Sequence, residues 1–129
     1  MKKTISAALF LAILPTLTEA ATCTRADLAG SWKVYTVLYT VGRCSLIMPA
    51  TGTTISTRSS CYFPEAVSST PLRGTLRIST DCQVTGSITI GTHQRTIDAY
   101  ISKGKDSVSG IGWESGNIYN AYPLNGVKQ

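Results

Sequence analysis

The sequence predicts an all-β fold: a single antiparallel up-and-down barrel of about eight strands, with a short N-terminal helical turn and two disulfides. Three observations predict it. Apolar and polar residues alternate with period two in many segments, and turn signals recur at roughly the 8–12-residue spacing of all-β domains. No helical segment is long enough to connect parallel strands, so neighbouring strands should be antiparallel.

Residues 1–20 have the order of a secretory signal peptide. Two lysines precede an apolar run over residues 5–14, and Thr18-Glu19-Ala20 supplies the small-residue end. The apolar run is shorter than the roughly 20 residues of a transmembrane helix, so we expect no stable membrane anchor. We expect cleavage after Ala20, a periplasmic or secreted location, and one β-barrel domain over residues 21–129.

The charge of the chain is moderately basic, with 12 basic and 7 acidic residues and a net charge of +5. The basic residues are scattered and form no run, a pattern typical of solvated strand faces and turns. Weak attraction to acidic partners or membrane surfaces is compatible with this charge. Because the chain is predicted to be exported, we expect no nucleic-acid partner.

Four cysteines follow the predicted signal peptide: Cys23, Cys44, Cys61 and Cys82. An even number in a small exported chain indicates two disulfides, for which three pairings exist. A zinc site would need closely spaced Cys or His pairs, and these cysteines are far apart. Cys44 and Cys61 lie equally far from a turn near Gly52 and would face each other in a hairpin. We therefore predict the pairs Cys44–Cys61 and Cys23–Cys82.

The fold is predicted to begin with a helical turn over residues 24–29. Thr24 can cap this turn, and a carboxylate at Asp27 favours a helix N-terminus. Gly30 can adopt the left-handed conformation that ends it. From Trp32 the chain alternates as a strand, with one face formed by Trp32, Val34, Thr36 and Leu38 and the other by Lys33, Tyr35, Val37 and Tyr39.

The remaining strands are predicted from turn signals and alternation. Two of them, residues 43–48 and 53–63, flank the turn at Gly52, and the polar segment 65–71 is a loop. The other five are residues 72–79, 82–90, 95–102, 107–113 and 118–124. A two-sheet sandwich is the alternative, and polar outward positions such as Arg73, Thr75 and Arg77 favour the barrel.

No set of residues points to catalysis. His93, the only histidine, lies in a polar turn, and nothing nearby pairs it with a serine and an acid. Most carboxylates have turn or capping positions, and neither metal-ligand spacing nor a glycine-rich phosphate loop is present. We expect no enzymatic activity, no cofactor and no metal site.

The aromatic residues are the more informative candidates for a binding site. In a closed barrel, several of them can point inward or surround its mouth, and aromatic walls with a few polar groups form small-ligand pockets. Filling the core or the rim is the alternative role. We take Tyr35, Tyr39 and Tyr100 as candidate pocket or mouth residues, and Gly30 and Trp32 as structural residues.

Gly30-Ser31-Trp32 resembles the G-x-W motif of the lipocalins and the wider calycin superfamily. In that family a helical turn leads into the first barrel strand, and the tryptophan packs across the closed end. Where lipocalins have an arginine stacked on this tryptophan near the end of the last strand, this chain has Lys128. The resemblance covers residues 27–36 and implies a carrier or sensor of a small apolar or amphipathic ligand.

The chain is also similar to the small periplasmic inhibitors of secreted bacterial metalloproteases. Leu28, Gly30 and Trp32 match their Leu-x-Gly-x-Trp motif, and Cys44 and Cys61 are placed like their cysteine pair. This resemblance implies an inhibitor of a secreted or host hydrolase, a protease or lysozyme, acting through the N-terminal segment or an end loop. A structural or adhesion role for a solid barrel is the third alternative.

Overall fold

A closed β-barrel is the architecture of this chain, as seen in a computed structural model that describes residues 12, 13, 15, 21–37, 41–66 and 68–129. The predicted Tyr39 and most of the predicted signal peptide lie outside these residues. A four-residue helix, α1, precedes the strands. The elements are α1 (Arg25–Leu28), β1 (Gly30–Val37), β2 (Val41–Met48), β3 (Ser60–Tyr62), β4 (Thr70–Ile78), β5 (Gln83–Ile90), β6 (His93–Ile101), β7 (Ser107–Glu114) and β8 (Asn117–Lys128).

Each strand pairs antiparallel with the next, and β8 returns to pair with β1. The closing ladder runs from Trp32 opposite Lys128 to Thr36 opposite Leu124. Closure pairs β1 with β8, the two strands that would otherwise be the edges of the sheet. The all-β barrel prediction is therefore confirmed. No helix in the described part of the chain is long and apolar enough to cross a membrane.

The barrel has two distinct ends. We call the end that carries α1 and the start of β1 the lower end. The upper end carries the β5–β6 turn at Gly91-Thr92 and the β7–β8 turn at Ser115-Gly116. Strand alternation places one set of side chains inside, where the buried core includes Trp32, Leu46, Leu72, Leu76, Val84, Ile97 and Leu124.

Glycines let the strands approach closely where the barrel bends. Gly74 and Gly86 face inward on β4 and β5 with φ angles of +135° and +153°, which side chains disfavour. A Cβ atom at Gly86 would overlap the carbonyl oxygen of Thr75, and one at Gly74 would overlap that of Ser87. The close approach of β4 and β5 therefore requires glycine at both positions.

Both predicted disulfides are present. Cys44 and Cys61 lie directly opposite each other on β2 and β3, with Cα atoms 3.9 Å apart. Cys23–Cys82 joins the segment before α1 to the β4–β5 turn, where the Cys23 amide also donates to the carbonyl of Thr80 at 3.0 Å. Two disulfides in so small a domain indicate an oxidising, periplasmic or extracellular compartment.

The predicted strand over residues 53–63 is wrong for most of its length. Only Ser60–Tyr62 forms a strand, and Thr54 makes a single bridge to Thr75. The hydroxyl of Ser56 accepts from the Arg58 amide, and that of Ser59 accepts from the Ile47 amide at 2.9 Å. The Ser56 bond is local, whereas the Ser59 bond reaches β2. Both stand in place of a regular ladder, so the chain leaves the sheet before β3.

The last strand is longer than predicted, because β8 continues through Asn125 and Gly126 to Lys128. Asn-Gly often forms a turn. Here Gly126 faces the interior, and a Cβ atom would lie 2.8 Å from Val108 and 3.0 Å from Val34. The missing side chain lets β8 pack tightly between β7 and β1, and this extension completes the barrel.

Substituting Gly86→Ala should lower the free energy of unfolding by at least about 1–3 kcal/mol, because the new methyl group overlaps the Thr75 carbonyl. Gly104→Ala is the matched control, since a Cβ atom there meets only the Asp106 side chain in an exposed turn. The control should change stability by about 0.5 kcal/mol or less. Equal denaturation midpoints for the two variants in urea would contradict the close approach of β4 and β5.

Candidate functional site

Trp32 closes the lower end of the barrel. Its side chain is 1% exposed, and the indole Nε1 donates to the Leu28 carbonyl of α1 at 2.8 Å. The ammonium of Lys128 lies 5.4 Å from the centre of the indole ring and donates to the Asp27 carbonyl at 3.0 Å. The indole is thus held between the helical turn and a cation, an arrangement that stabilises it electrostatically.

Asp27 fixes the helical turn over this end. Its carboxylate accepts from the Thr24 amide at 2.7 Å and from the Lys105 ammonium at 3.1 Å. The Thr24 amide, helped by Lys105, lowers the pKa of Asp27 below its ordinary value of 3.8. The bond from Lys105 joins α1 to the β6–β7 turn, and the bond from Thr24 holds the start of the helical turn. Asp27 thus anchors α1 across the lower end.

Above Trp32 the barrel encloses an apolar cavity of about 70 Å³. Its wall comes from the inner faces of seven strands and from α1, and Thr36 and Tyr122 supply the only hydroxyl groups among the lining side chains. The lining residues are Leu28, Trp32, Val34, Thr36, Cys44, Leu46, Leu72, Leu76, Val84, Ile88, Ile90, Ile97, Ala99, Val108, Tyr122 and Leu124.

The size and lining of the cavity limit what it can hold. Apolar cavities stay dry and bind small apolar molecules, because water inside would lack hydrogen-bond partners. The volume is far below the roughly 300–1,000 Å³ of pockets for drug-sized ligands. The cavity can therefore accept a small aliphatic group of a few carbon atoms and excludes ring systems.

A buried arginine lies at the upper end, next to the cavity. Arg95 is only 3% exposed, and its guanidinium carbon lies 5.8 Å from the centre of the Tyr122 ring. One of its terminal nitrogens donates to the Gln94 carbonyl at 3.1 Å and lies 3.9 Å from a carboxylate oxygen of Glu114. The arrangement places a positive charge beside an apolar space.

Tyr122 connects this arginine with the cavity. Its ring lies over Gly112, where a Cβ atom would be 3.1 Å from both Ile97 and the tyrosine ring. The ring lines the cavity, and its hydroxyl is buried without a hydrogen-bond partner among the described residues. Burial raises the pKa of Tyr122 above its ordinary value, so the phenol remains a proton donor at neutral pH.

The structure places two of the tyrosines taken as candidate pocket or mouth residues on the outside of the barrel. Tyr35 and Tyr100 are 53% and 51% exposed, and neither lines the cavity. Each is out of phase with the buried residues of its strand, as period two requires. Tyr35 instead lies in a shallow outer groove with Arg43 and Tyr62. The third predicted tyrosine, Tyr39, lies outside the described residues.

Sequence reasoning missed Arg95 and Tyr122. The alternation along each strand could have identified them. Arg95 lies on the same face of β6 as Ile97 and Ala99, and Tyr122 lies on the same face of β8 as Leu124. An arginine in phase with a buried apolar face is uncommon, because a buried charge requires compensation. Strand phase therefore separates interior candidates from surface aromatics better than residue type alone.

Comparisons with protein-family models, with curated proteins and with solved structures find no match to this chain. Within the described residues, no group of three or more His, Cys, Asp or Glu side chains is placed to hold a metal ion. The function is therefore inferred from the cavity and from the residues around it.

Removing the indole at the lower end should destabilise the fold strongly. Trp32→Ala deletes a fully buried side chain and should lower the free energy of unfolding by about 3–5 kcal/mol. Tyr35→Ala, on the same strand but on the outer face, should cost about 1 kcal/mol or less. Chemical denaturation measures both, and similar losses would contradict the placement of Trp32.

The contribution of Asp27 to the stability of the folded state should depend on pH. Its lowered pKa means that the ionised carboxylate stabilises the folded state above the unfolded value near 3.8, and that this stabilisation is lost as the pH falls through the folded value. The stability difference between the wild type and Asp27→Asn should therefore be full at neutral pH and should shrink in acid. Thermal unfolding across this range measures it, with Lys105→Met as the weaker control. A difference independent of pH would contradict a role for the charge.

Proposed function

We propose that this protein is a non-enzymatic binding protein that holds a small apolar or amphipathic molecule inside its barrel, as a carrier or sensor. The observation that carries the proposal is the apolar cavity of about 70 Å³ above Trp32. Protein interiors are close-packed, with few voids larger than a water molecule. A cavity with this lining gains dispersion contacts when an apolar molecule fills it.

The division of the barrel into two ends supports the same proposal. The lower end is closed by α1, Trp32 and Lys128, whose contacts have a structural explanation. The upper end carries exposed apolar side chains, Val37 and Val41 beside the β1–β2 connection and Ile118 and Tyr119 near the tip of the β7–β8 hairpin. Exposed apolar groups at one end of a barrel suit the passage of an apolar ligand, so the upper end is the proposed route of access.

The resemblance to lipocalins supports the proposal of a ligand-binding barrel. The Gly30-Ser31-Trp32 motif leads from the helical turn into β1, and Lys128 lies against Trp32. The described geometry supports a similar arrangement at the lower end. The sequence of residues 1–20 and the two disulfides support export to the periplasm or beyond the cell.

Inhibition of a secreted hydrolase is the second prediction from the sequence, and it has less support. The N-terminal segment that would act on a protease cleft is held against the β4–β5 turn by Cys23–Cys82 and by the hydrogen bond from Cys23 to Thr80. An inhibitor using this segment would need it free to extend. An end-loop mechanism stays a prediction without a supporting contact.

The proposal predicts that propan-1-ol and propane bind inside the barrel. Val84→Phe fills the cavity from β5 and should weaken binding of both molecules at least tenfold. Thr85→Phe adds the same ring to the neighbouring outward position and should leave binding unchanged. Chemical shifts of methyl groups lining the cavity and Trp32 fluorescence measure the binding.

Two results would contradict the proposal. The first is the absence of any shift in the lining methyl groups at saturating propane. The second is equal binding by Val84→Phe and Thr85→Phe, which would place the ligand outside the barrel. Thermal unfolding of both variants controls for loss of folded protein.

A further inference from the structure

A groove on the outer surface of the barrel lies over the first three strands. Its floor is formed by two rows of outward side chains that run across β1, β2 and β3. In the first row Tyr35 is opposite Arg43, and Arg43 is opposite Tyr62. The groove has a volume of about 500 Å³, within the roughly 300–1,000 Å³ of small-molecule sites. It therefore has room for a ligand that the interior cavity of about 70 Å³ excludes.

The second row supplies a cation and hydroxyl groups. Lys33 is opposite Ser45, which is opposite Ser60, and the Lys33 ammonium donates to the Ser45 hydroxyl. Ser69 of the β3–β4 loop and Gln129, just after β8, complete the polar lining. A hydroxyl group both donates and accepts hydrogen bonds, so this row and the walls beside it suit a ligand that has many neutral hydroxyl groups.

The groove carries positive charge without a compensating acid. Arg43 and Lys33 line it, and no Asp or Glu side chain is among the described residues that do so. The ion pairs found in the described part of the chain are made by Arg95 and Lys105 instead. The Arg43 guanidinium carbon lies 5.3 Å from the centre of the Tyr62 ring, and the side chain is exposed. A guanidinium binds a carboxylate through two parallel hydrogen bonds, so Arg43 is available to an anionic ligand group.

Two exposed tyrosine rings flank this guanidinium. Tyr35 and Tyr62 are 53% and 42% exposed. Their strands, β1 and β3, are separated by one other strand, which places the two strands about 10 Å apart across the sheet. A tyrosine side chain offers a flat apolar face and a polar tip. The C–H face of a sugar ring packs against such a surface while the sugar hydroxyl groups remain free for hydrogen bonds, so the two tyrosines fit successive rings of a short saccharide.

We propose that this groove binds a short saccharide that carries carboxylate groups, with its sugar rings on Tyr35 and Tyr62 and a carboxylate on Arg43. The site lies outside the barrel and adds a second binding function that does not depend on the interior cavity. A saccharide matches the groove better than an acidic peptide, because Val127 is the only aliphatic side chain among the described lining residues and apolar peptide side chains would gain little there. The oxidising compartment that the two disulfides indicate disfavours a nucleic acid.

The competing explanation is that Arg43 and the two tyrosines only pack on one another, since cross-strand pairs of this kind stabilise a sheet. It predicts that substitutions in the groove change stability and that there is no saccharide binding to lose. Exposed residues of the same types elsewhere on the outer surface supply matched controls. Tyr100 on β6 is 51% exposed, Arg73 on β4 is exposed, and neither lines the groove.

Isothermal titration with two trisaccharides tests the proposal. One is cellotriose, and the other is the trimer of glucuronic acid with the same linkage, which differs only in its carboxylates. We expect the glucuronic acid trimer to bind at least tenfold more tightly than cellotriose. Arg43→Met should abolish this preference, and Tyr35→Leu should weaken binding of both trisaccharides several-fold. Tyr100→Leu and Arg73→Met should leave both affinities unchanged.

Equal affinities of the wild type for the two trisaccharides, or no binding of either, would overturn the proposal. Equal or tighter binding of triglutamate would overturn it in favour of an acidic peptide, and that of oligothymidylate in favour of a single-stranded nucleic acid. Equal losses in Tyr35→Leu and Tyr100→Leu would place the saccharide outside the groove. Val84→Phe, which fills the interior cavity, should bind the glucuronic acid trimer as the wild type does, and thermal unfolding controls for loss of folded protein in each variant.

Discussion

Closure of the sheet between β1 and β8 is the constraint on which the rest of the molecule depends. Trp32 and Lys128 are opposite each other in that ladder, and the same two side chains meet inside the lower end. The pairing therefore places the cation on the indole and leaves the indole as the floor of the cavity. Without this ladder the inner faces of β1 and β8 would have no common interior.

The barrel separates stabilising contacts from candidate binding groups. Disulfide Cys23–Cys82, the Asp27 hydrogen bonds and Trp32 all act at the lower end, where Arg25 Nε is a buried donor without a hydrogen-bond partner among the described residues. The unsatisfied donors of Arg95 and Tyr122 lie at the other end of the cavity. At the upper end the two groups lie against each other, with the Arg95 guanidinium over the Tyr122 ring that forms part of the cavity wall.

Much of the fold could be predicted from the sequence, because strand alternation and the symmetric placement of Cys44 and Cys61 are local patterns. The segment around Ser56 and Ser59 could not, since the Ser59 hydroxyl accepts from the Ile47 amide of β2, which folding alone brings near. The site was predicted less well. Tyr35 and Tyr100 have the expected residue type but the wrong strand phase, whereas the neighbourhood of Arg95 depends on long-range pairing with β7 and β8.

We propose that the barrel interior is a binding space between Trp32 and Tyr122. A crystal structure determined under xenon pressure tests it most directly, because xenon enters small dry apolar cavities without needing a specific head group. We expect a xenon atom above the indole, in contact with side chains such as Leu76 and Val84. Crystals that diffract normally under xenon and show no density inside the barrel would contradict it.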